Sequence, residues 1–436
     1  MKIKTIFVLI IGFLLVINSI SLSASTIRNR NIEPINPYQD FNEDIVDMIQ
    51  LIDENLVYSY LEKLVSFGPR YTGTKNCTAA GDYIYSEFEN MSLDVEFHEW
   101  KFNKFKSRNV IGTLKGYDSS SNATIILSAH YDTVKDSLGA NDDGSGVAAV
   151  LAIAKILSNY SFRHTICFIA FSGEEVGTYG SFCYARDAYR IKKNIYAVLN
   201  PDIIGWAETE YGGRIIRFSH TERSSWIAEF AKNISEKYID IIDITVEDIP
   251  NYRGADHQAF HDYGYDAVWT VEHDPCRNCN TPDDNLTNIN STYLAKATKL
   301  HLAILAEMAS NPIGIQVMLK TPYEGRGYFF NYSIMPLDLG RYYFSGFRGA
   351  TVIIGRANAS CEVITKEEVK FVVFCIDDIF LSWDSKPPYE WKIQGKHRPL
   401  IGRYNLKVYA YTISGKRATD EMDIIIFTLS YQYGRW

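Results

Sequence analysis

The sequence predicts an α/β domain, a mostly parallel sheet flanked by helices, followed by an all-β sandwich. Three observations carry this reading. Short apolar runs at residues 125–127, 165–171 and 195–199 alternate with helix-length segments, the rhythm of a parallel sheet. The first run ends at His130-Tyr131-Asp132, the second at Ser172-Gly173-Glu174-Glu175 and the third at Asn200-Pro201-Asp202, so polar groups gather where strands finish. Beyond Asn311-Pro312 the helical period disappears and two-residue alternation replaces it.

The elements follow in order. Lys2 and Lys4, an apolar run over 6–17 and small residues through Ala24 read as a signal peptide, residues 1–24. The run is shorter than the roughly 20 residues that span a bilayer. An uncleaved anchor is the alternative, and both imply export. A polar linker covers 25–40, and the α/β domain occupies 41–310.

Within that domain Ile45, Met48, Ile49, Ile52, Val57, Leu61, Leu64 and Val65 recur at helical spacing and predict helices that brace a core. Residues 145–157, nearly continuous in Val, Ala, Ile and Leu, predict a helix buried on most sides. Strands are expected at 214–218 and 266–271, a helix at 224–237, and a long closing helix at 291–309. The sandwich is expected at 312–430. Tyr404, Leu406, Val408 and Ala410 alternate, turn at Ser414-Gly415-Lys416, and are answered by Met422, Ile424 and Ile426.

Composition narrows the partners. The 436 residues carry a formal charge of -8 and no polybasic run, which argues against nucleic acid. Seven cysteines fit an exported protein with one or two disulfides, a bridge from Cys77 to Cys276 or Cys279 among them. Cys276-x-x-Cys279 also reads as a ligand pair or a redox motif. Trp383, Tyr389 and Trp391 are either sandwich core or a carbohydrate-binding face.

The chemistry lies in the segments that end the strands. His130 offers a ring nitrogen, and Asp142, Glu175 and Asp202 offer hard oxygens, a mixture that suits zinc. Asp132, two residues from His130, is placed to accept the ring's other N–H. The glycine-rich stretch 139–146 makes a sharp loop that brings Asp142 to the metal, where it is placed to bridge two ions. Adjacent Glu174 and Glu175 divide the labour, one carboxylate holding metal and the other taking a proton from water.

These segments resemble the co-catalytic zinc exopeptidase family of secreted aminopeptidases, glutamate carboxypeptidases and glutaminyl cyclases. The H-x-D, G-A-x-D-D-x-S-G, E-E and N-x-D elements stand at 130–132, 139–146, 174–175 and 200–202, and a D-H pair at Asp256-His257. The resemblance implies two zinc ions, with His130 and Asp202 on one, Glu175 on the other, Asp142 between them and Glu174 as general base. It also implies a histidine before Thr281, where this chain has Asn280. Asparagine is the weaker ligand, and Cys276, Cys279 and His273 are the candidate substitutes. Three outcomes stay open: a weakened pair, a one-metal site on His130, Asp142 and Asp202, or lost activity.

Residues 374–378, 387–391 and 410–415 resemble the immunoglobulin-like modules appended to exported enzymes, which implies adhesion or positioning without naming a ligand. The expected function is an exported zinc-dependent aminopeptidase acting on peptides or proteins, secreted or held at the cell surface. The competing readings are a degenerate peptidase fold that binds rather than cleaves, and a glutaminyl cyclase.

Overall fold

The computed structural model describes residues 42–221, 224–249, 252–323, 326–336 and 351–431. The expected signal peptide and linker lie outside them. Two compact units divide between Gly314 and Ile315. No helix among the described residues is long and apolar enough to cross a membrane.

The first unit is built on an eight-stranded sheet. Its strands are β1 (Asp94–Phe102), β2 (Phe105–Leu114), β3 (Thr124–His130), β4 (Thr165–Phe171), β5 (Ile195–Pro201), β6 (Ile215–His220), β7 (Thr245–Ile249) and β8 (Ala267–Glu272). They lie in the order β1-β2-β4-β3-β5-β8-β6-β7. β3, β4, β5 and β8 run parallel, while the β1–β2 hairpin and the β6–β8 pair are antiparallel, so the sheet is mixed.

The helices are α1 (Glu43–Gln50), α2 (Glu54–Val65), α3 (Lys75–Asn90), α4 (Gly144–Leu157), α5 (Tyr179–Arg190), α6 (Ser225–Lys237), α7 (Ile239–Ile242), α8 (His257–Asp262) and α9 (Ser291–Ser310). α4 is buried at every residue except Lys155, as its apolar run requires. α9 starts where the Asn290 side chain accepts the Tyr293 N–H, and packs an apolar face on α1, α2 and α4. The hairpin β1–β2 and helices α3 and α5 are elements that the sequence reading left unassigned.

Topology places the site. From central β3 the chain crosses to β4 on one side and then returns to β5 on the other, so its direction of winding reverses at β3. Parallel register puts the carboxyl ends of all three strands at one edge, with His130 paired to Phe171. Open α/β sheets form their ligand crevice at such a point.

The second unit is all β. A seven-stranded sheet contains, in order, β11 (Tyr332–Pro336), β10 (Arg326–Phe329), β12 (Thr351–Ile354), β18 (Arg417–Thr428), β17 (Leu400–Thr412), β14 (Val369–Ile376) and β15 (Ile379–Asp384). A three-stranded sheet orders β16 (Tyr389–Lys392), β13 (Asn358–Ile364) and β9 (Gln316–Thr321). Leu406, Val408, Ala410, Met422, Ile424 and Ile426 share one core with Ala359 and Trp391 from the smaller sheet. Tyr389 and Trp391 are therefore core residues, while Trp383 is 60% exposed.

Candidate metal centre

Three segments distant in sequence bring one donor each to the carboxyl end of β3. His130 Nε2 lies 3.2 Å from Asp142 Oδ1 and 3.7 Å from Asp202 Oδ1. All three side chains are buried, and their ligand atoms lie within 4.8 Å of one another. No other group of three His, Cys, Asp or Glu side chains converges this way among the described residues.

Each donor is held from behind. The Nδ1–H of His130 donates to the main-chain carbonyl of Asp132 at 3.0 Å, which leaves the Nε2 lone pair facing the two carboxylates. The Trp269 indole N–H donates to Asp202 Oδ2 at 3.0 Å, while Asp202 Oδ1 is buried without a hydrogen-bond partner. Asp142 is positioned through its backbone: the N–H groups of Asn141 and Asp142 donate to the Asp284 carboxylate at 2.7 and 3.0 Å.

Asp143 ties the segments together. Its carboxylate accepts from His130 N–H at 3.1 Å, from Gly146 N–H at 2.9 Å and from Ile203 N–H at 3.3 Å, so it caps α4 while joining the ends of β3 and β5. Gly146 is required here, because a Cβ would stand 2.4 Å from both Asp143 Oδ1 and the Pro201 carbonyl. Buried Arg70 closes the loop from below, donating to the carbonyls of Tyr131, Leu64, Leu138 and Gly139.

The Asp132 carboxylate has a different task from the one that its spacing implied. It stands 3.7 Å from His130 Nδ1 and accepts instead from Glu174 N–H at 3.2 Å, Glu175 N–H at 3.4 Å and the Thr72 hydroxyl at 2.6 Å. It thus holds the Glu174–Glu175 turn beside the ligands. Gly173 begins that turn with φ +82°, and Trp100 occupies the space a Cβ would need.

The electrostatics call for a cation. Burial alone would depress the His130 pKa, yet the carboxylates of Asp132, Asp142 and Asp202 around the ring outweigh it and raise the pKa well above the ordinary histidine range. Burial, reinforced by Asp256, Asp202 and Glu175, pushes Glu174 well above the usual carboxylate range. Burial and the nearby Asp142 raise Glu175 to about 8. Three buried acceptors and unpartnered oxygens at Asp202 and Glu175 form a donor set that fits zinc at His130, Asp142 and Asp202.

Residues expected near the second ion are placed otherwise. Asn280 is exposed, in a left-handed conformation at φ +63°. Cys276 and Cys279 are bridged to each other, and Cys77 is buried as a free thiol, so neither the expected bridge from Cys77 nor a thiolate ligand is present. His273 lies 3.2 Å from Asp274 and engages that carboxylate. Asp256 stands at the start of α8 without making a side-chain cap, and the His257 N–H donates to Asn200 Oδ1 at 3.0 Å.

Several supporting residues escaped the sequence reading. Asp143 and Asp284 stand inside segments already singled out, but spacing alone gives them no role. Arg70, Thr72 and Trp269 have partners about 60 or more residues away and leave no local signal.

The fold and site define a class, the α/β metallo-hydrolases. Residues 109–305 match peptidase family M28. It is 28% identical to a probable zinc metalloprotease of Pyricularia oryzae, over 60% of this chain and 65% of that protein. It is 29% identical to a probable leucine aminopeptidase of Arthroderma benhamiae, over 60% of this chain and 73% of that protein. A zinc aminopeptidase of Bacillus subtilis shares the fold, with a TM-score of 0.54, 18% identity, and coverage of 60% of this chain and 96% of that one.

Proposed function

We propose that this protein is an exported, zinc-dependent aminopeptidase. The observation that carries the reading is the convergence of His130, Asp142 and Asp202 beside the Glu174–Glu175 turn, at the winding reversal of the sheet. A zinc ion held there supplies a Lewis acid and lowers the pKa of water to about 7.

The chain's own residues do the rest. Glu174 takes a proton from the attacking water and returns it to the leaving amine. Its raised pKa suits a group that must both accept and release a proton. Asp132 holds Glu174 in place through the backbone N–H. His130 is kept in one tautomer by the Asp132 carbonyl.

Charge supports recognition of an amino terminus. Asp132, Asp142, Glu174, Glu175, Asp202 and Asp256 line or neighbour the site. Arg70, the one buried Lys or Arg among the described residues of this unit, has its guanidinium taken by main-chain carbonyls and offers nothing to a substrate carboxylate. An ammonium group fits this field.

Export rests on the amino-terminal sequence pattern and is supported by the Cys276–Cys279 disulfide, which suits an oxidising compartment. The β unit is read as an immunoglobulin-like module that positions the enzyme at or near a cell surface. Glu174 weighs against the binding-protein reading, and Asn280, at the metal position that the resemblance assigns to cyclases, weighs against the cyclase reading.

The test is hydrolysis of a free-amino peptide and its N-acetylated counterpart, run on wild type and Glu174→Gln with metal analysis. Cleavage of the free peptide alone, lost in the variant with zinc retained, is expected. A zinc-free wild type as inactive as the variant would sink the reading.

A further inference from the structure

The two halves of the family's metal site are unequally furnished in this chain. On one side stand an imidazole nitrogen and two carboxylates, each anchored by a separate hydrogen bond or backbone clamp. On the other side stands Glu175, whose Oε1 is buried without a hydrogen-bond partner and whose carboxyl feels Asp142 most strongly among the surrounding charges.

None of the nitrogen and sulfur donors expected from the sequence for that second side joins a converging group among the described residues. Asn280 is exposed on a left-handed turn, with a neutral amide in place of an imidazole. Cys276 and Cys279 have joined to each other, which removes both thiolates. Cys276 Sγ lies 3.5 Å from the Asn141 side-chain nitrogen, and that nitrogen is directed at Glu272. His273 is engaged by Asp274. The other buried histidine close in sequence, His257, directs Nε2–H to the Tyr252 carbonyl at 2.9 Å, and its buried Nδ1, without a hydrogen-bond partner, belongs to no converging donor group among the described residues.

Ligand chemistry then separates the two places. A mixed nitrogen and oxygen set holds zinc well, whereas carboxylates with water suit hard cations such as magnesium or manganese. We infer that this chain retains a single zinc ion, on His130, Asp142 and Asp202, and that the position of the family's second ion, lacking the imidazole that residue 280 would supply, does not retain zinc. The inference shares its residues with the proposed function but not its reaction, so peptide cleavage plays no part in its test.

The experiment uses the full chain, loaded with excess zinc and dialysed against metal-free buffer. Zinc per chain is measured by elemental analysis and native mass spectrometry, with thermal melts confirming that each variant is folded. One zinc is expected in wild type and in Glu175→Gln. Asp202→Asn is expected to bind zinc about 10- to 100-fold more weakly. Two zinc ions retained by wild type, or loss of the retained ion in Glu175→Gln, would overturn the inference.

Discussion

His130 Nδ1 lies 3.0 Å from the main-chain carbonyl of Asp132 and 3.7 Å from that residue's carboxylate, so one residue orients the imidazole with its backbone and the Glu174–Glu175 turn with its side chain. The division makes the two effects separable. Asp132→Asn keeps the carbonyl and disturbs the acceptor for two N–H groups. It is expected to lower kcat about 10- to 100-fold while leaving zinc content unchanged. Elemental analysis beside steady-state kinetics checks this, and parallel loss of zinc and activity would show that the carboxylate acts on the metal side.

Glu174→Gln removes the proton acceptor and keeps the shape of the turn. Activity should fall about 10²- to 10⁴-fold, with the melting temperature and zinc content near those of wild type. Retained turnover would move the general base elsewhere.

Asp284 anchors the Asn141 and Asp142 backbone, and Arg70 lies within its electrostatic reach. Asp284→Ala leaves two buried N–H groups without an acceptor, a loss of roughly 1–3 kcal/mol for each. Denaturant unfolding should show that destabilisation, and zinc affinity should fall with it because Asp142 loses its fixed position. A variant that unfolds like wild type would contradict the assignment.

His301 makes a pH prediction away from the metal. It is fully buried; its Nδ1–H donates to the Ala297 carbonyl at 2.8 Å, and Nε2 accepts from the Thr270 hydroxyl at 2.8 Å, so both nitrogens suit the neutral ring. Burial lowers its pKa to about 4 from 6.5. The unfolded chain therefore takes up the proton first as pH falls. Stability from this residue is complete above about pH 6.5 and is lost progressively down to about pH 4, by about 3 kcal/mol. Melting curves over that range should be less steep in pH for His301→Gln than for wild type.

Much of the α/β core was legible because its signals are local. The apolar runs became β3, β4 and β5, the apolar helix became α4, and 291–309 became α9, each within three residues. The β1–β2 hairpin was not read, although Val95 and Phe97 alternate with charged residues, because its burial is partial and its contrast weak. In the second unit the alternation in β17 and β18 marked core positions correctly. It could not reveal that β12 joins β10 and β18 in parallel, since pairing direction leaves no imprint on a single strand.

The sequence by itself determined the donor inventory: which residues carry nitrogen or oxygen, that they follow strand ends, and that residue 280 is an asparagine. Tertiary structure alone decided which donors meet. It brought His130, Asp142 and Asp202 within 4.8 Å of one another, gave the Asp132 carboxylate to the Glu174–Glu175 turn, and joined Cys276 to Cys279. The reason is physical: a residue's type sets the chemistry it can offer, but its partners lie about 10 to 140 positions away and are chosen by strand register and backbone clamps.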